Sequence, residues 1–268
     1  MKFVRFKSAK FPHGTYGVFA DNGRIEVIKG GLLDLIERTG DVLDESEITG
    51  YLPPVDPPNV LAIGLNYAEH SKETNDVLPS APLLFMKAST AVIAHGQNIV
   101  LPHSAPDHVD YEAELCVIIG KSARNISESE ALDYVFGYTC ANDVSARDAQ
   151  KSDGQWVRAK SFDTFAPMGP YVVTDIDPTG LRVISRLNGQ VMQDGNTDDM
   201  IFPVAQVISY LSQCMTLLPG TAILTGTPSG VGFARTPPVY LKAGDISEIE
   251  VEGIGILRNT VVQENRKY

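Results

Sequence analysis

The chain has 268 residues, 43% of them hydrophobic, with 22 basic against 33 acidic residues and a formal net charge of -11. That length and apolar content suffice for one large domain with a small one beside it. The acidic balance, with no basic cluster, argues against nucleic acid and anionic membrane surfaces as partners, but leaves open a small anionic substrate, because a local metal and a few Arg or Lys can reverse the field within one cleft.

Residues 1 to about 50 read as a small β-rich unit. Strands over Phe3–Phe6, Tyr16–Ala20 and Arg24–Ile28 are predicted, the last two joined as a hairpin at Asp21-Asn22-Gly23, and Leu32 to Arg38 is predicted as a short helix. Tyr51 to Pro58 holds four prolines within six residues and reads as a linker, dividing the chain into 1–55 and 56–268. The N-terminus, charged from Lys2 to Lys7, lacks an apolar signal core, and no apolar run is long enough to span a bilayer. Cys116, Cys140 and Cys214 are odd in number, far apart and set in apolar runs, the pattern of reduced core thiols in a cytoplasmic protein.

The larger unit begins with a predicted strand over Asn59–Gly64, followed by a helical stretch, Leu65–Glu73. His70 and Glu73 stand three apart there and share a helical face, where a carboxylate holding an imidazole makes a general base. A solvated surface helix accounts for the same spacing. Leu83–Met86 reads as a buried strand ending at Lys87, and Ala91–Ala94 as an apolar segment ending at His95; either cation is compatible with a structural role. His103 and His108 lack ligand spacing and read as surface residues.

Asp110 to Gly120 is the densest signal. Glu112 and Glu114 project from one face of a strand pattern, roughly 7 Å apart along the chain, and Cys116 and Ile118 continue that face. Tyr111, Ala113, Leu115, Val117 and Ile119 make the other face apolar as well, as in a strand buried on both sides. Two carboxylates at about 4 Å repel by roughly 4 kcal/mol at an effective dielectric near 20, so they need a compensating cation. A hard divalent metal does this, and so do paired Lys or Arg.

Ser127–Asp133 is predicted as a capped helix and Val135–Ala141 as a strand. That strand delivers Asn142-Asp143-Val144-Ser145-Ala146-Arg147-Asp148, in which Asp143, Arg147 and Gln150 fall at i, i+4 and i+7 of a helical face. Asp143 as a simple helix cap is the competing reading. Trp156–Lys160 leads into Ser161-Phe162-Asp163, and Tyr171–Val173 reads as a strand. Asp175–Gly180 imitates a calcium loop but has Arg186 where the twelfth-position acid is required. Arg182–Leu187 and Gln190–Gln193 form a hairpin at Asn188-Gly189, and Pro203–Leu211 is helical. Ala222–Thr225 is a strand running into Gly226-Thr227-Pro228-Ser229-Gly230-Val231-Gly232, which lacks the Gly-Lys-Ser/Thr of a nucleotide loop although its backbone amides suit a small anion. Strands near Ile246–Val251 and Gly255–Val262 close the chain.

Taken together, Asp110-Tyr111-Glu112-Ala113-Glu114-Leu115, the Asn142–Asp148 segment, Lys160-Ser161-Phe162-Asp163 and Thr225–Gly232 resemble the fumarylacetoacetate hydrolase superfamily, over about residue 59 to the C-terminus. The resemblance implies an α+β, mostly β fold, a mixed β-sandwich roll carrying a small N-terminal β-rich domain, assembled as a homodimer. It implies that Glu112, Glu114 and Asp143 bind Mg2+ or Mn2+ (Ca2+ in crystals), and that Arg147, Gln150 and Thr227 contact the substrate. Lys160 is implied to bind the substrate acid and stabilise developing negative charge, with His70 and Glu73 on a lid over the site. The activity implied is metal-dependent hydrolysis of a carbon–carbon bond in acylpyruvate or 2,4-diketo acid substrates, releasing pyruvate or a related 2-oxo acid. Oxaloacetate decarboxylation and 2-oxo-acid isomerisation of the hydroxyhepta-dienedioate type are the alternatives on the same metal site. A non-catalytic metal-binding homologue is a further alternative, disfavoured by the retention of His70 and Glu73.

Overall fold

The computed structural model describes residues 1–105 and 107–265, so the last three residues assigned to the larger unit, 266–268, lie outside the described residues. Among the described residues the fold is mostly β, with mixed sheets, as the motifs imply. The larger sheet has twelve strands. Its main path runs Arg38–Leu43, Ile25–Ile28, Thr15–Phe19, Lys2–Ser8, Ala166–Val173, Val135–Asn142, Ala113–Ile119, Ala222–Leu224, Val60–Gly64 and Leu83–Lys87. A second sheet of five strands runs Gln190–Asn196, Arg182–Leu187, Ile246–Val251, Gly255–Gln263 and Asn98–Leu101. The N-terminal strands continue the large sheet directly, with Lys2 paired to Val173 and Val4 to Tyr171.

The central strand Ala113–Ile119 is buried along its whole length. Ala113, Leu115, Val117 and Ile119 face a core shared with Val183, Ile249 and Leu257 of the five-stranded sheet and with Val207, Ile208 and Leu211 of the helix Val204–Cys214. Cys116 and Ile118 face the opposite core with Phe3, Val60, Met168 and Leu224. Two apolar faces on one strand are what a sheet covered on both sides requires, and the alternation read from Tyr111 to Ile119 is that requirement seen in sequence.

Several local expectations need correction. Leu32 to Arg38 is not a helix: the Gly31 N–H donates to the Asp34 side chain at 2.6 Å and the Asp34 N–H returns to the Gly31 carbonyl at 3.2 Å, and Leu35 is 94% exposed, so a turn closed by these bonds wins where no apolar stripe would be buried. Glu128–Tyr134 is 3-10 rather than α-helical, although Ser127 and Glu130 do close a capping box. The strand expected at Tyr171–Val173 already begins at Ala166. Asp143 lies in the turn before the helix Arg147–Asp153 and does not cap it; the residue at that cap is Ala146. Cys116 and Cys140 are buried thiols, but Cys214 is exposed at the end of its helix. No helix among the described residues is long and apolar enough to cross a membrane.

Candidate active site

The site forms where the start of Ala113–Ile119 meets the ends of Val135–Asn142, Ala222–Leu224 and Val60–Gly64. Antiparallel pairing sets Ala113 opposite Asn142, which brings Glu112 beside Asp143. The Asp143 N–H donates to the Glu112 carbonyl at 2.9 Å, and the Glu112 N–H donates to the Asn142 side chain at 3.0 Å. Glu114 follows from within the strand. Its carboxylate accepts the Gly226 N–H at 2.6 Å. Gly226 has φ +98°, and a Cβ there would come within 2.7 Å of the Asn66 Cβ, so only glycine permits this close approach.

Ligand atoms of Glu112, Glu114 and Asp143 lie within 4.8 Å of one another, and all three residues are buried. Three cations reach them. Lys160 Nζ donates to Glu112 Oε2 at 2.8 Å and to Asp143 Oδ2 at 2.7 Å. Lys87 Nζ donates to Asp143 Oδ1 and, at 3.2 Å, to the Val144 carbonyl. Arg147 Nη2 lies 2.7 Å from Glu112 Oε1 and 2.9 Å from Asp110 Oδ2.

These neighbours push the acids apart. Burial opposes the charge of Glu112, but Lys160 and Arg147 outweigh it and bring its carboxyl down to about 2. Glu114 is raised well above the ordinary carboxylate value, by burial first and then by the charges of Asp143 and Glu112. Burial also disfavours the Lys160 ammonium, yet Asp143 and Glu112 hold its pKa above the ordinary value, whereas for Lys87 burial prevails and lowers it.

The donor set fits a hard divalent cation. Three carboxylates converge, and the carboxyl of Glu114 resists ionisation only because its neighbours are anionic and water is excluded; a divalent cation removes both obstacles.

Eight of the nine residues singled out in the sequence line one cavity of about 100 Å³: His70, Glu112, Glu114, Asp143, Arg147, Gln150, Lys160 and Thr227. Glu73, the ninth, stands behind His70. His70 belongs to the helix Ala68–Thr74 and is 6% exposed. Its Nδ1 is 3.2 Å from Glu73 Oε2, and Glu73 is itself held by the Gly230 N–H at 2.9 and 3.1 Å. With Nδ1–H donated to a carboxylate, the free lone pair is on Nε2. Thr227 lines the cavity with its hydroxyl already engaged, donating to the Ala113 carbonyl at 2.9 Å and accepting from Gln193 at 2.7 Å. His95 stands apart, accepting the Arg258 N–H at 3.2 Å, and His108 is an exposed partner of Asp148.

The sequence reading missed Lys87, Gln193 and Asp110 as parts of this network. The only trace of Lys87 was a lysine closing an otherwise apolar strand. Asp110 is fully buried and accepts from Arg147 Nε and Nη2 at 3.0 and 2.9 Å, and from the N–H groups of Gly232 and Phe233 at 2.8 and 3.0 Å. It therefore ties the glycine-rich loop to Arg147. Asp110→Asn keeps the shape but removes the charge facing a buried guanidinium, and is expected to cost about 3 to 5 kcal/mol. A urea midpoint unchanged from wild type would show that Asp110 does not hold the loop.

Comparison with known proteins agrees with the geometry. The family model for the fumarylacetoacetate (FAA) hydrolase C-terminal domain matches residues 59–262. Oxaloacetate tautomerase FAHD2A, mitochondrial, of Bos taurus is 45% identical over 226 residues, covering 82% of this chain and 72% of that protein. Among solved structures, 5-carboxymethyl-2-hydroxymuconate delta-isomerase from Mycobacterium smegmatis superposes with a TM-score of 0.88 at 37% identity, covering 98% of this chain and 100% of that one. Fumarylacetoacetate hydrolase from psychrophilic Exiguobacterium antarcticum superposes with a TM-score of 0.85 at 36% identity, again over 98% and 100% of the two chains. The four motifs, the buried cluster they build and a family match spanning most of the chain agree: this chain belongs to the fumarylacetoacetate hydrolase superfamily.

Proposed function

We propose that the chain is a metal-dependent 2-oxo-acid isomerase that interconverts the keto and enol forms of a small dicarboxylate such as oxaloacetate. The sequence offers 2-oxo-acid isomerisation of the hydroxyhepta-dienedioate type, beside oxaloacetate decarboxylation, as its alternative; keto–enol interconversion is a narrower form of the isomerase reading, which gains support over carbon–carbon hydrolysis from relatives named as a tautomerase and an isomerase. The observation that carries it is one imidazole, fixed by Glu73, facing a cluster of carboxylates and ammonium groups across a cavity of about 100 Å³. A cavity of that size admits the reacting head of a small acid.

Glu112, Glu114 and Asp143 would hold a divalent cation, which would supply positive charge to polarise the 2-oxo group. The remaining work falls to the chain itself. His70 Nε2 removes a proton from the carbon beside the keto group, and the electron pair moves onto the 2-oxo oxygen. Lys160 places its ammonium near that growing charge. The proton then passes from His70 to the oxygen, giving the enol with no atom gained or lost. Glu73 keeps Nδ1 protonated throughout and stabilises the transient imidazolium.

Carbon–carbon hydrolysis is the second reading, favoured by the likeness to a fumarylacetoacetate hydrolase and by the same His70–Glu73 pair, which would then activate water. One experiment separates the two. Enol oxaloacetate is followed by its ultraviolet absorbance, and pyruvate release is measured separately from acylpyruvates and from oxaloacetate, with Mg2+ and with EDTA. The expected result is enol decay at least tenfold faster than in buffer, abolished by EDTA and restored by Mg2+. Enol decay at the buffer rate, beside rapid pyruvate release from an acylpyruvate, would assign the chain to the hydrolases.

A further inference from the structure

Gln193 stands on Gln190–Asn196, the edge strand of the five-stranded sheet, yet it is buried and reaches across to the start of Ala113–Ile119 and to the glycine-rich loop. Its strand is shaped to aim it. Ser185 pairs with Gln193 but Arg186 with Val191, which leaves Met192 as the extra residue of a bulge beside it. We propose that Gln193 is a positioning residue for enolisation that acts through Thr227: it fixes the Thr227 hydroxyl as an acceptor only, so that Thr227 receives the hydroxyl of the enol and tells it from the keto form. The proposal rests on the keto–enol reading of the site.

The partners assign every proton in this contact. The Ala113 N–H can only donate, and it does so to Gln193 Oε1 at 2.9 Å, whereas the Pro228 carbonyl can only accept, and it takes a bond from Gln193 Nε2 at 2.8 Å. Those two contacts settle which end of the amide is which. The remaining contact of Nε2, at 2.7 Å to Thr227 Oγ1, is therefore a donation as well. The Thr227 hydroxyl lies in turn 2.9 Å from the Ala113 carbonyl oxygen, which accepts and cannot donate. A hydroxyl has one proton, and this one is directed at Ala113. What Thr227 keeps for a ligand in the cavity it lines is a lone pair.

An oxygen that can only accept disfavours an ionised carboxylate and favours a protonated oxygen. Of the keto and enol forms only the enol carries a hydroxyl, so a lone pair on Thr227 prefers the enol. Gln193 sets the sense of that preference. Without its NH2 group the Thr227 hydroxyl is free to turn its proton from Ala113 toward the cavity, and the distinction is lost.

The test is a double-mutant cycle on the Mg2+-loaded protein, following decay of enol oxaloacetate by its ultraviolet absorbance in wild type, Gln193→Met, Thr227→Val and the double variant. The contact exists as soon as the enol binds, so each single variant is expected to raise KM about fivefold, the scale of one neutral hydrogen bond, with kcat within about twofold. The double variant is expected to stay within about twofold of Thr227→Val, because the hydroxyl through which Gln193 acts is already gone. Thr227→Ser, which restores the hydroxyl, is expected to bring KM back down. Losses that multiply in the double variant, or a Gln193→Met that lowers Tm and kcat together with KM unchanged, would make Gln193 a structural residue and overturn the proposal. Should Gln193→Met not fold, Thr227→Val and Thr227→Ser still decide, since equal KM values for these two overturn it. Enol decay at the buffer rate in wild type overturns instead the keto–enol reading.

Discussion

Lys160→Met is expected to lower turnover by about 100- to 1000-fold, the usual loss when one preorganised donor to a developing oxyanion is removed. The ammonium is 2% exposed and stands between Glu112 and Asp143, so it acts where water cannot screen it. The same burial adds a structural consequence. Two acids lose their shared partner, and breaking a buried ion pair costs about 3 to 5 kcal/mol. Rates therefore have to be measured below the variant's lowered Tm. Removing a positive charge beside three carboxylates also strengthens their attraction for a divalent cation, so Mg2+ is expected to raise the Tm of the variant more than that of wild type. A variant within tenfold of wild-type turnover, or one that Mg2+ stabilises less than wild type, would leave Lys160 as a packing residue.

The strand Ala113–Ile119 was legible because alternation over a long buried strand records both cores at once. That Asp143, Arg147, Gln150, Lys160 and Thr227 join Glu112 and Glu114 came from the resemblance of four motifs and not from any period, because the strand pairing that brings Glu112 beside Asp143 is a property of the fold. Short elements were harder. The stretch Leu32–Arg38 has helical composition, but the hydrogen bonds between Gly31 and Asp34 decide its path, and composition does not record such bonds. The partner of Lys87 could not be read for a different reason. Asp143 lies 56 residues away, and no local period links a lysine at a strand end to a carboxylate in a distant turn. Asp110 sat beside the Glu112 and Glu114 pair in plain view, yet its role depends on the Gly232 and Phe233 amides, which the fold alone brings to it.

The other large effect is expected at the imidazole. His70→Ala removes the base and should slow enolisation by about 100-fold or more, the scale of general-base help. Glu73→Gln tests how that base is held. A glutamine can still accept from the Gly230 N–H through its amide oxygen, but its NH2 group then faces His70 Nδ1. The proton is forced to Nε2, and the lone pair that faced the substrate is lost. The variant should therefore keep its fold and lose at least tenfold in enolisation. Decarboxylation of oxaloacetate needs an electron sink more than a base, because the bond that breaks releases carbon dioxide rather than a proton, and it should fall less in both variants. Measuring the two rates on the same purified protein decides the role of the pair. Equal losses in both reactions would mean that His70 and Glu73 order the helix Ala68–Thr74 and exclude water rather than move a proton. Unchanged enolisation would remove them from the chemistry and leave the buried carboxylates to supply the base.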